Sequence, residues 1–517
     1  MVGLAEATSP RSADLNYYYG IALAQLGRLA ESRQALLAGR RAKPRDKRFL
    51  LELAGVEFKQ KDYIHAAKWL HRALRLDPSD AYANDFLGSI YFLEGNLEAA
   101  LKYWNRVSRP MIADVKLEPE PRVDPVLLDR AFAFAPASTL RLPDLLTSQA
   151  RVRGLEIFPG YVFGLNARDD GRFDLIFRGQ ERNGLGPNKW AGLLSFFRGV
   201  FQQTVYPEYF NLNGSATNLE SLVRWDAQKR RLVASVSGPW HRDAKWRYRI
   251  GTDLRDENWD IRTLSTDNAA QLAALKLRKQ SVSAGIAEFL SGRWSWSTAV
   301  EASHRTFTDV AAGTLSPTLL SPGYQLKQLT NATYQLWRVP ERRFTLTSAA
   351  SSELARIWSE PGHAFAKLQG SVAANWFPQT RGNDYETELR LRAGDTFGES
   401  PFDEMFMLGI ERDNDLWLRA HVGTHDGRKG SAPLGRSYAL GNWEISKNVY
   451  RKALFNFRLG PFLDSGKILD SSSGARNKWL WDTGAQAKVD ALGFGLVFVY
   501  GKDLRSGNNA FYVTVAK

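Results

Sequence analysis

The stretch Lys245-Trp246-Arg247-Tyr248-Arg249-Ile250 places an apolar side chain at every second position and a cation before each one. Successive side chains of a strand point to opposite faces, so this segment has one aromatic face and one charged face. The pattern returns along the chain. Trp294, Trp296, Val300 and Ala302 alternate with Arg293, Ser295, Ser297, Glu301 and Ser303. Leu389, Leu391 and Ala393 alternate with Glu388, Arg390 and Arg392, and Phe455, Phe457 and Leu459 with Asn456, Arg458 and Gly460. Polar connectors such as Arg168-Asp169-Asp170-Gly171-Arg172 and Arg381-Gly382-Asn383-Asp384 separate such segments. No second, more apolar class of strand accompanies them to fill the middle of a soluble sandwich.

Composition points the same way. Aromatic residues make up 12 % of the chain, including 16 Trp, while the mean hydropathy is −0.35. Transmembrane β-barrels combine these properties, because apolar and polar residues alternate and aromatic girdles mark both interfaces. The longest clean apolar run is the nine residues Leu492 to Tyr500, far short of the roughly 20 that a spanning helix needs. The region 151–517 holds 517 − 150 = 367 residues. At roughly ten residues per strand and a dozen per turn or loop, that predicts about sixteen antiparallel strands. An even count closes the sheet and leaves no edge in lipid; fourteen or eighteen strands, or several soluble sandwiches, are the alternatives. With aromatic faces in lipid, Arg247, Arg249, Arg390, Arg392 and Arg458 point into a wet, mostly cationic lumen. Such a face is an ordinary solvated wall, and it can also attract an anionic polymer or acidic unfolded segments.

The chain carries 69 Lys plus Arg against 55 Asp plus Glu, a net charge of 69 − 55 = +14, and no cysteine. That excludes a disulfide scaffold, a thiolate zinc site and a cysteine nucleophile. The opening Met1-Val2-Gly3-Leu4-Ala5-Glu6 has no basic stretch followed by an apolar one, which implies a cytosolic chain or a leader already removed.

The first hundred residues obey a different period. Gly20, Ala54 and Gly88 are 34 residues apart, as are Gly27, Lys61 and Gly95, and Pro44 and Pro78. Small residues at Ala66 and Ala100, large ones at Leu36, Leu70 and Trp104, and a proline ending each second helix describe a stacked helical hairpin. This resembles the tetratricopeptide repeat, with copies at about 13–46, 47–80 and 81–112. The resemblance implies a concave groove for a peptide or partner domain, for which Asn16, Tyr19, Leu50, Asn84, Leu87 and Tyr91 are the candidate lining residues. The cluster Arg40-Arg41-Ala42-Lys43 with Arg45, Lys47 and Arg48 reads as a solvated helix end rather than a nucleic-acid site.

Glu118-Pro119-Glu120-Pro121 and Asp124-Pro125 favour an extended, stiff spacer. The domains expected are therefore tetratricopeptide-like repeats over 1–115, a Pro-rich connector over 116–150 and a barrel over 151–517. Within the connector, Phe132-Ala133-Phe134-Ala135 suits a strand and Pro143 to Gln149 a short helix.

The last quarter is more specific. Pro401-Phe402-Asp403-Glu404-Met405-Phe406-Met407-Leu408-Gly409 is followed by Leu418-Arg419-Ala420-His421, then Asn442-Trp443-Glu444, then Phe462-Leu463-Asp464-Ser465-Gly466. This order resembles the surface-antigen barrel of the outer-membrane insertase and translocase superfamily. The resemblance implies that Glu404, Phe406, Leu408 and Gly409 belong to a lead strand. After Leu418, Arg419 would lie on a loop folded into the lumen, Glu444 would be the acid of the next strand, and Phe462, Asp464 and Gly466 would form the acceptor strand. Arg419 would anchor the loop on Asp464, since a guanidinium fork on a carboxylate gives a bidentate hold. Ala420 stands where the family has glycine and His421 where it has an aromatic, so an unusual turn is expected at the loop tip because alanine resists positive φ. The chain ends in Ala516-Lys517 rather than the family's aromatic, and helical repeats stand where the family has small α/β modules.

Motifs of chemistry are missing: there is no Gly-rich phosphate loop, no His-Glu-x-x-His helix and no Gly-x-Ser-x-Gly elbow. His421 and His425, the one close pair, sit in a glycine-rich stretch and lack a third ligand in sequence. No enzyme, cofactor, metal or nucleic acid is expected. The expected function is insertion or translocation of protein at a bacterial outer membrane. In this reading the repeats recruit a client or partner in the periplasm, lipid surrounds the barrel, and a seam opens between strands near Leu155 and Val513. The rivals are an export porin for an anionic exopolysaccharide, a surface-lipoprotein translocating barrel and a soluble scaffold.

Overall fold

The computed structural model describes residues 12–185, 199, 203–262, 271–311, 319–359, 362–379, 382–452, 455–470, 478–491 and 494–515. The Met1–Glu6 opening and the terminal Ala516 and Lys517 lie outside them.

Among the described residues six helices come first: α1 Ala13–Gln25, α2 Leu29–Ala42, α3 Lys47–Lys59, α4 Tyr63–Leu76, α5 Ala81–Leu93 and α6 Leu97–Trp104. Side chains of Ser12, Asp46, Asp62, Asp80 and Asn96 accept backbone N–H bonds at the starts of α1, α3, α4, α5 and α6, satisfying donors the helix itself leaves open. The 34-residue spacing now has a steric meaning. A Cβ on Gly20 would lie 2.6 Å from Leu36, and one on Gly88 2.4 Å from Trp104, so paired helices touch at those points. Gly27, Lys61 and Gly95 occupy the turn inside each pair at φ of 76°, 62° and 77°, a left-handed residue that stops the first helix.

The proline-rich stretch is not a spacer. It belongs to a small α/β unit made of β1 Ile112–Leu117, α7 Pro125–Ala131, α8 Leu142–Gly154, β2 Gly160–Ala167 and β3 Phe173–Gln180, with sheet order β1-β3-β2. Pro125 begins a helix instead of preventing one, because Asp124 caps α7 by accepting the Val126 N–H and proline suits a first turn. Phe132 and Phe134 stack on each other and pack against Phe163; they are core plugs, not a strand. Arg168 to Arg172 is the β2–β3 turn. The boundary expected at 150 therefore falls inside this unit, and the one at 115 inside β1. Local pattern misses the unit because its sheet rests on a parallel pairing of β1 with the distant β3. Its core is continuous with the helices: Phe173 packs on both Phe92 and Trp104.

The remaining strands are β4 Thr204–Val205, β5 Glu208–Leu212, β6 Thr217–Trp225, β7 Lys229–Trp240, β8 Asp243–Arg262, β9 Gln271–Glu288, β10 Trp294–Thr308, β11 Gly323–Val339, β12 Phe344–Trp358, β13 His363–Trp376 and β14 Tyr385–Gly398. A loop then carries β15 Phe406–Met407, β16 Thr424–His425, β17 Arg428–Lys429 and β18 Leu434–Gly435. The wall resumes with β19 Ser437–Lys452, β20 Phe455–Asp470, β21 Leu480–Ala491, β22 Phe494–Asp503 and β23 Asn509–Val515. Neighbours pair antiparallel from β6 to β14, β14 pairs directly with β19, and the ladder continues to β23. Both β4 and β5 pair with β6, as two halves of one broken strand. The sheet is a β-barrel whose order takes in 18 strands, the short β4, β16 and β17 among them.

The described wall starts at β4, so Leu155, expected beside the seam, lies instead in the α/β unit. Outward positions are apolar and exposed, among them Ile250, Leu254, Val300, Leu354, Leu391 and Val513. Trp294 faces Tyr334 and Trp376 faces Phe344 across strands at the end with the short turns, as an aromatic girdle requires. No described helix is long and apolar enough to cross a membrane; the strands supply the greasy surface. The third helical pair is fixed to this end of the barrel. Lys102 Nζ and the Tyr103 hydroxyl each lie 2.6 Å from Glu341 Oε1 in the β11–β12 turn, and Asn96 donates to the Pro340 carbonyl at 2.9 Å.

Candidate functional site

The segment from Glu399 to Arg436 joins two adjacent wall strands, yet its side chains reach strands on opposite sides of the cylinder. Only a loop inside the lumen can do this. Its charges sort by direction. Acids on the loop meet most of their bases on the first half of the wall, Arg419 and His421 meet acids on the second half, and Lys429 is the exception, reaching an acid on the first half.

Glu404 opens the series. Its carboxylate takes Lys279 Nζ at 2.8 Å, Arg305 Nη2 at 3.1 Å and Lys327 Nζ at 3.2 Å, from β9, β10 and β11. Asp403 takes the other arm of Arg305 at 2.8 Å. Around the barrel, Asp413 pairs with Arg224 at 3.0 Å and with Arg231, while Glu411 takes Lys229 at 3.2 Å; these bases lie on β6 and β7. Lys429 crosses from the loop to Glu257 on β8 at 2.6 Å and also holds Asp413.

The second half of the wall receives Arg419. Its Nε and Nη2 donate to Asp464 at 2.9 and 2.7 Å, and Nη1 donates to Glu444 and to Gln486, both at 2.9 Å. The Arg419 and Asp464 side chains are 4 % and 0 % exposed. The guanidinium carbon sits 3.9 Å over the Phe462 ring, so the strand carrying Phe462, Asp464 and Gly466 offers a ring to stack on and a carboxylate to grip. At Gly466 a Cβ would press within 3.3 Å of Leu408, Leu418 and Leu440. At Gly409 it would lie 2.5 Å from Ala432 and 2.6 Å from the His421 carbonyl. Leu408, Leu418 and Phe406 form the loop's apolar side with Tyr438, Leu440 and Ile468. The structure therefore brings the motif residues of the last quarter into one body.

Ala420 does not disturb the tip. It is absent from the residues with positive φ, and its N–H donates to Asp482 at 2.7 Å. His421 fills the aromatic position with its ring between Asp482, at 3.0 Å from Nδ1, and Asp503, at 3.8 Å from Nε2. These three residues could in principle share a cation, their ligand atoms lying within 4.8 Å of one another, but here the imidazole itself bridges the two acids. His425 sits apart, near Asp260, so the two histidines do not form one ligand set.

Burial works against a charged His421 ring, but the carboxylates of Asp482, Asp503 and Asp464 outweigh it and hold the pKa above the ordinary value. The folded pKa thus exceeds the unfolded one, so the stabilisation is complete below about 6.5 and is lost as pH rises through the folded value. Relative to His421→Phe, the wild-type chain is expected to lose thermal stability as the pH is raised above the ordinary histidine range, measured as the gap between their unfolding midpoints in detergent. A gap that stays constant with pH would remove the ring's charge from the anchor.

Sequence reading missed part of this site. Gly501 on β22 has no side chain because a Cβ there would lie 2.5 Å from the Arg419 carbonyl. Asp482, Gln486, Asp503, Glu411 and Asp413 carry no motif, and only the fold assembles them. The five inward arginines are not free charge: Arg247 and Arg249 pair with Glu156 of the α/β unit, Arg390 with Glu388, Arg392 with Asp415, and Arg458 with Glu386 and Asp490.

The expected groove does not form as drawn. Asn16, Leu50, Asn84, Leu87 and Tyr91 are buried and only Tyr19 is half-buried. Leu50 and Leu87 belong to the apolar core of the helices and the α/β unit, Asn84 binds the Pro78 and Asp80 carbonyls, and Tyr91 bonds to His71. The same small-and-large pattern that reveals the period marks packing positions, so it selects core rather than groove.

A family pattern described as tetratricopeptide repeat matches residues 3–47, 32–81 and 65–111. The paired helices are tetratricopeptide repeats. No curated protein matches the chain by sequence. Among solved structures it is similar to BamA from Haemophilus ducreyi lacking POTRA domains 1–3, at 11 % identity over 79 % of this chain and 84 % of that one, TM-score 0.45. It is similar to CdiB from Escherichia coli at 14 % identity over 79 % and 75 %, TM-score 0.49. CdiB from Acinetobacter baumannii gives 10 % identity over 81 % of each chain, TM-score 0.45.

Proposed function

We propose that the chain is an outer-membrane barrel that inserts or translocates protein substrates, with the tetratricopeptide repeats receiving a client or partner on the periplasmic side. One observation carries the reading: a loop pinned to β6–β11 on one side and β19–β22 on the other occupies the bore. A conduit for a soluble polymer needs that space empty and a charged wall free to meet its cargo, and here the inward arginines already have carboxylate partners. A plugged barrel acts at its wall or by moving its plug, which suits protein clients that end up in, or cross beside, the bilayer. The helices and the α/β unit, bound to the short-turn end, are placed to present such a client to the wall.

Reconstitution tests this. Full-length chain in lipid vesicles is expected to accelerate the folding of an unfolded β-barrel protein added outside by at least about tenfold over empty vesicles, read by protease protection. Vesicles that leave client folding unchanged but release an entrapped anionic polysaccharide would overturn the proposal in favour of the export porin.

A further inference from the structure

The turn Ile410–Asp413 of the lumen loop lies where the two edges of the wall, β23 and β4, come together. Ile410 belongs to an apolar cluster with Val497 and Val499 of β22, against which Tyr512 of β23 packs. Arg412 donates to the Thr204 hydroxyl of β4 at 3.2 Å, and its guanidinium lies within electrostatic reach of the Tyr512 hydroxyl of β23. The next residue, Asp413, takes the Arg224 guanidinium with both oxygens, at 3.0 and 3.3 Å, and Arg231 beside it, so the first edge is gripped through β6 and β7 as well. One four-residue turn therefore holds the last two strands with its first residue, both edges with its third and the first strands with its fourth.

We propose that the turn Ile410–Asp413 is a latch across the meeting edges of the barrel, with Arg412 as its bridging residue, and that releasing it sets how readily the wall parts there. A guanidinium is the side chain for this task, because its fork of donors can bind two oxygens on separate strands at once, whereas an ammonium of similar reach is a single point. The latch also ties the wall to the plug: any client or partner that draws the loop from its wall contacts withdraws the bridge in the same movement. The inference deepens the insertion and translocation reading and rests on it for purpose, but the geometry is testable without any client.

The chain has no cysteine, so spin labels can be placed at two sites alone. Leu219→Cys on β6 and Val513→Cys on β23 both point outward and are exposed. Pulsed electron–electron distances between them are measured in the full chain in lipid nanodiscs. With Arg412 present, one narrow distance population is expected; Arg412→Ala should raise the fraction at longer separation by about tenfold, and Arg412→Lys should fall between. Identical distributions in all three would overturn the proposal. If Arg412→Ala fails to assemble, Thr204→Val and Tyr512→Phe carry the test, each removing one hold and each expected to broaden the distribution; unchanged distances in both would refute the latch. Client folding measured on the same samples separates the two ideas. Widened edges without any change in client folding would leave the latch in place and count against the insertion reading.

Discussion

Arg419→Ala is expected to destabilise the barrel by about 3–5 kcal/mol and to free the lumen loop. The size follows from what is left behind. Glu444 keeps a partner in Lys488 at 2.7 Å, but Asp464, wholly buried, keeps only the Asn442 amide at 2.8 Å and the Arg419 backbone N–H at 3.0 Å. An uncompensated carboxylate in a dry interior costs far more than the pair contributed, whereas exchanging both partners for apolar residues removes that penalty. Arg419→Met combined with Asp464→Leu should therefore be milder than Arg419→Ala alone. Lysine at 419 should recover less than half of the loss, since it can neither bind Asp464 in bidentate fashion nor lie flat on Phe462. Denaturant unfolding followed by tryptophan emission measures the stabilities, and single-channel recording measures the plug: a released loop should raise conductance and its noise. Equal stability and conductance in Arg419→Ala would show that the loop is held elsewhere.

What was legible in the sequence is what repeats or stays local. Period two announced the wall strands and their apolar outer face, since each strand reports its own exposure. The 34-residue period announced the helical pairs because each pair packs on the next by the same small-to-large contact. The α/β unit was illegible for the opposite reason. Pro119, Pro121 and Pro125 look like a spacer, yet the first two only lead out of β1 and the third starts α7. The pairing that defines the unit joins Ile112 to Phe173, and the strands β2 and β3 alternate well enough to pass for barrel wall.

The site divided along the same line. Glu404, Arg419 and Asp464 stood out through their motif neighbours, Gly409, Phe462 and Gly466, whose small size or flat ring has a contact to explain it. The wall partners of Glu404 and His421, namely Lys279, Arg305, Lys327, Asp482 and Asp503, are single charges on the polar faces of ordinary strands, and such faces hold many charges with nothing to mark which ones the loop will meet. Groove residues failed for a further reason: Leu87 and Asn84 stand at recognisable repeat positions, but a recognisable position in a stacked repeat is the one that packing constrains.

Glu404→Gln is the second large effect expected, at about 3 kcal/mol, and it probes the opposite side of the bore. The amide keeps the shape but withdraws the charge that faces two buried cations, Arg305 and Lys327, and the partly buried Lys279. Arg305 would retain Asp403 at 2.8 Å and Lys327 would retain Glu353 at 3.2 Å, while Lys279 would be left with Glu301 at 3.8 Å and Asp403 at 3.9 Å. Those residual pairs place the cost at the low end of the range for breaking a buried pair. Asp403→Asn, which touches mainly Arg305, should cost less than Glu404→Gln. The informative measurement is the double variant. Independent anchors more than about 10 Å apart should give additive losses, so Arg419→Ala with Glu404→Gln would then sum the two single effects. If instead the loop is one packed body through Phe406, Leu408 and Leu418, losing either anchor lets it pull away from both walls. The double variant should then be less unstable than the sum by more than about 1 kcal/mol. Strict additivity would mean that the plug is held in sections, and that Arg412 in the turn Ile410–Asp413 can let go while Arg419 and Glu404 stay seated.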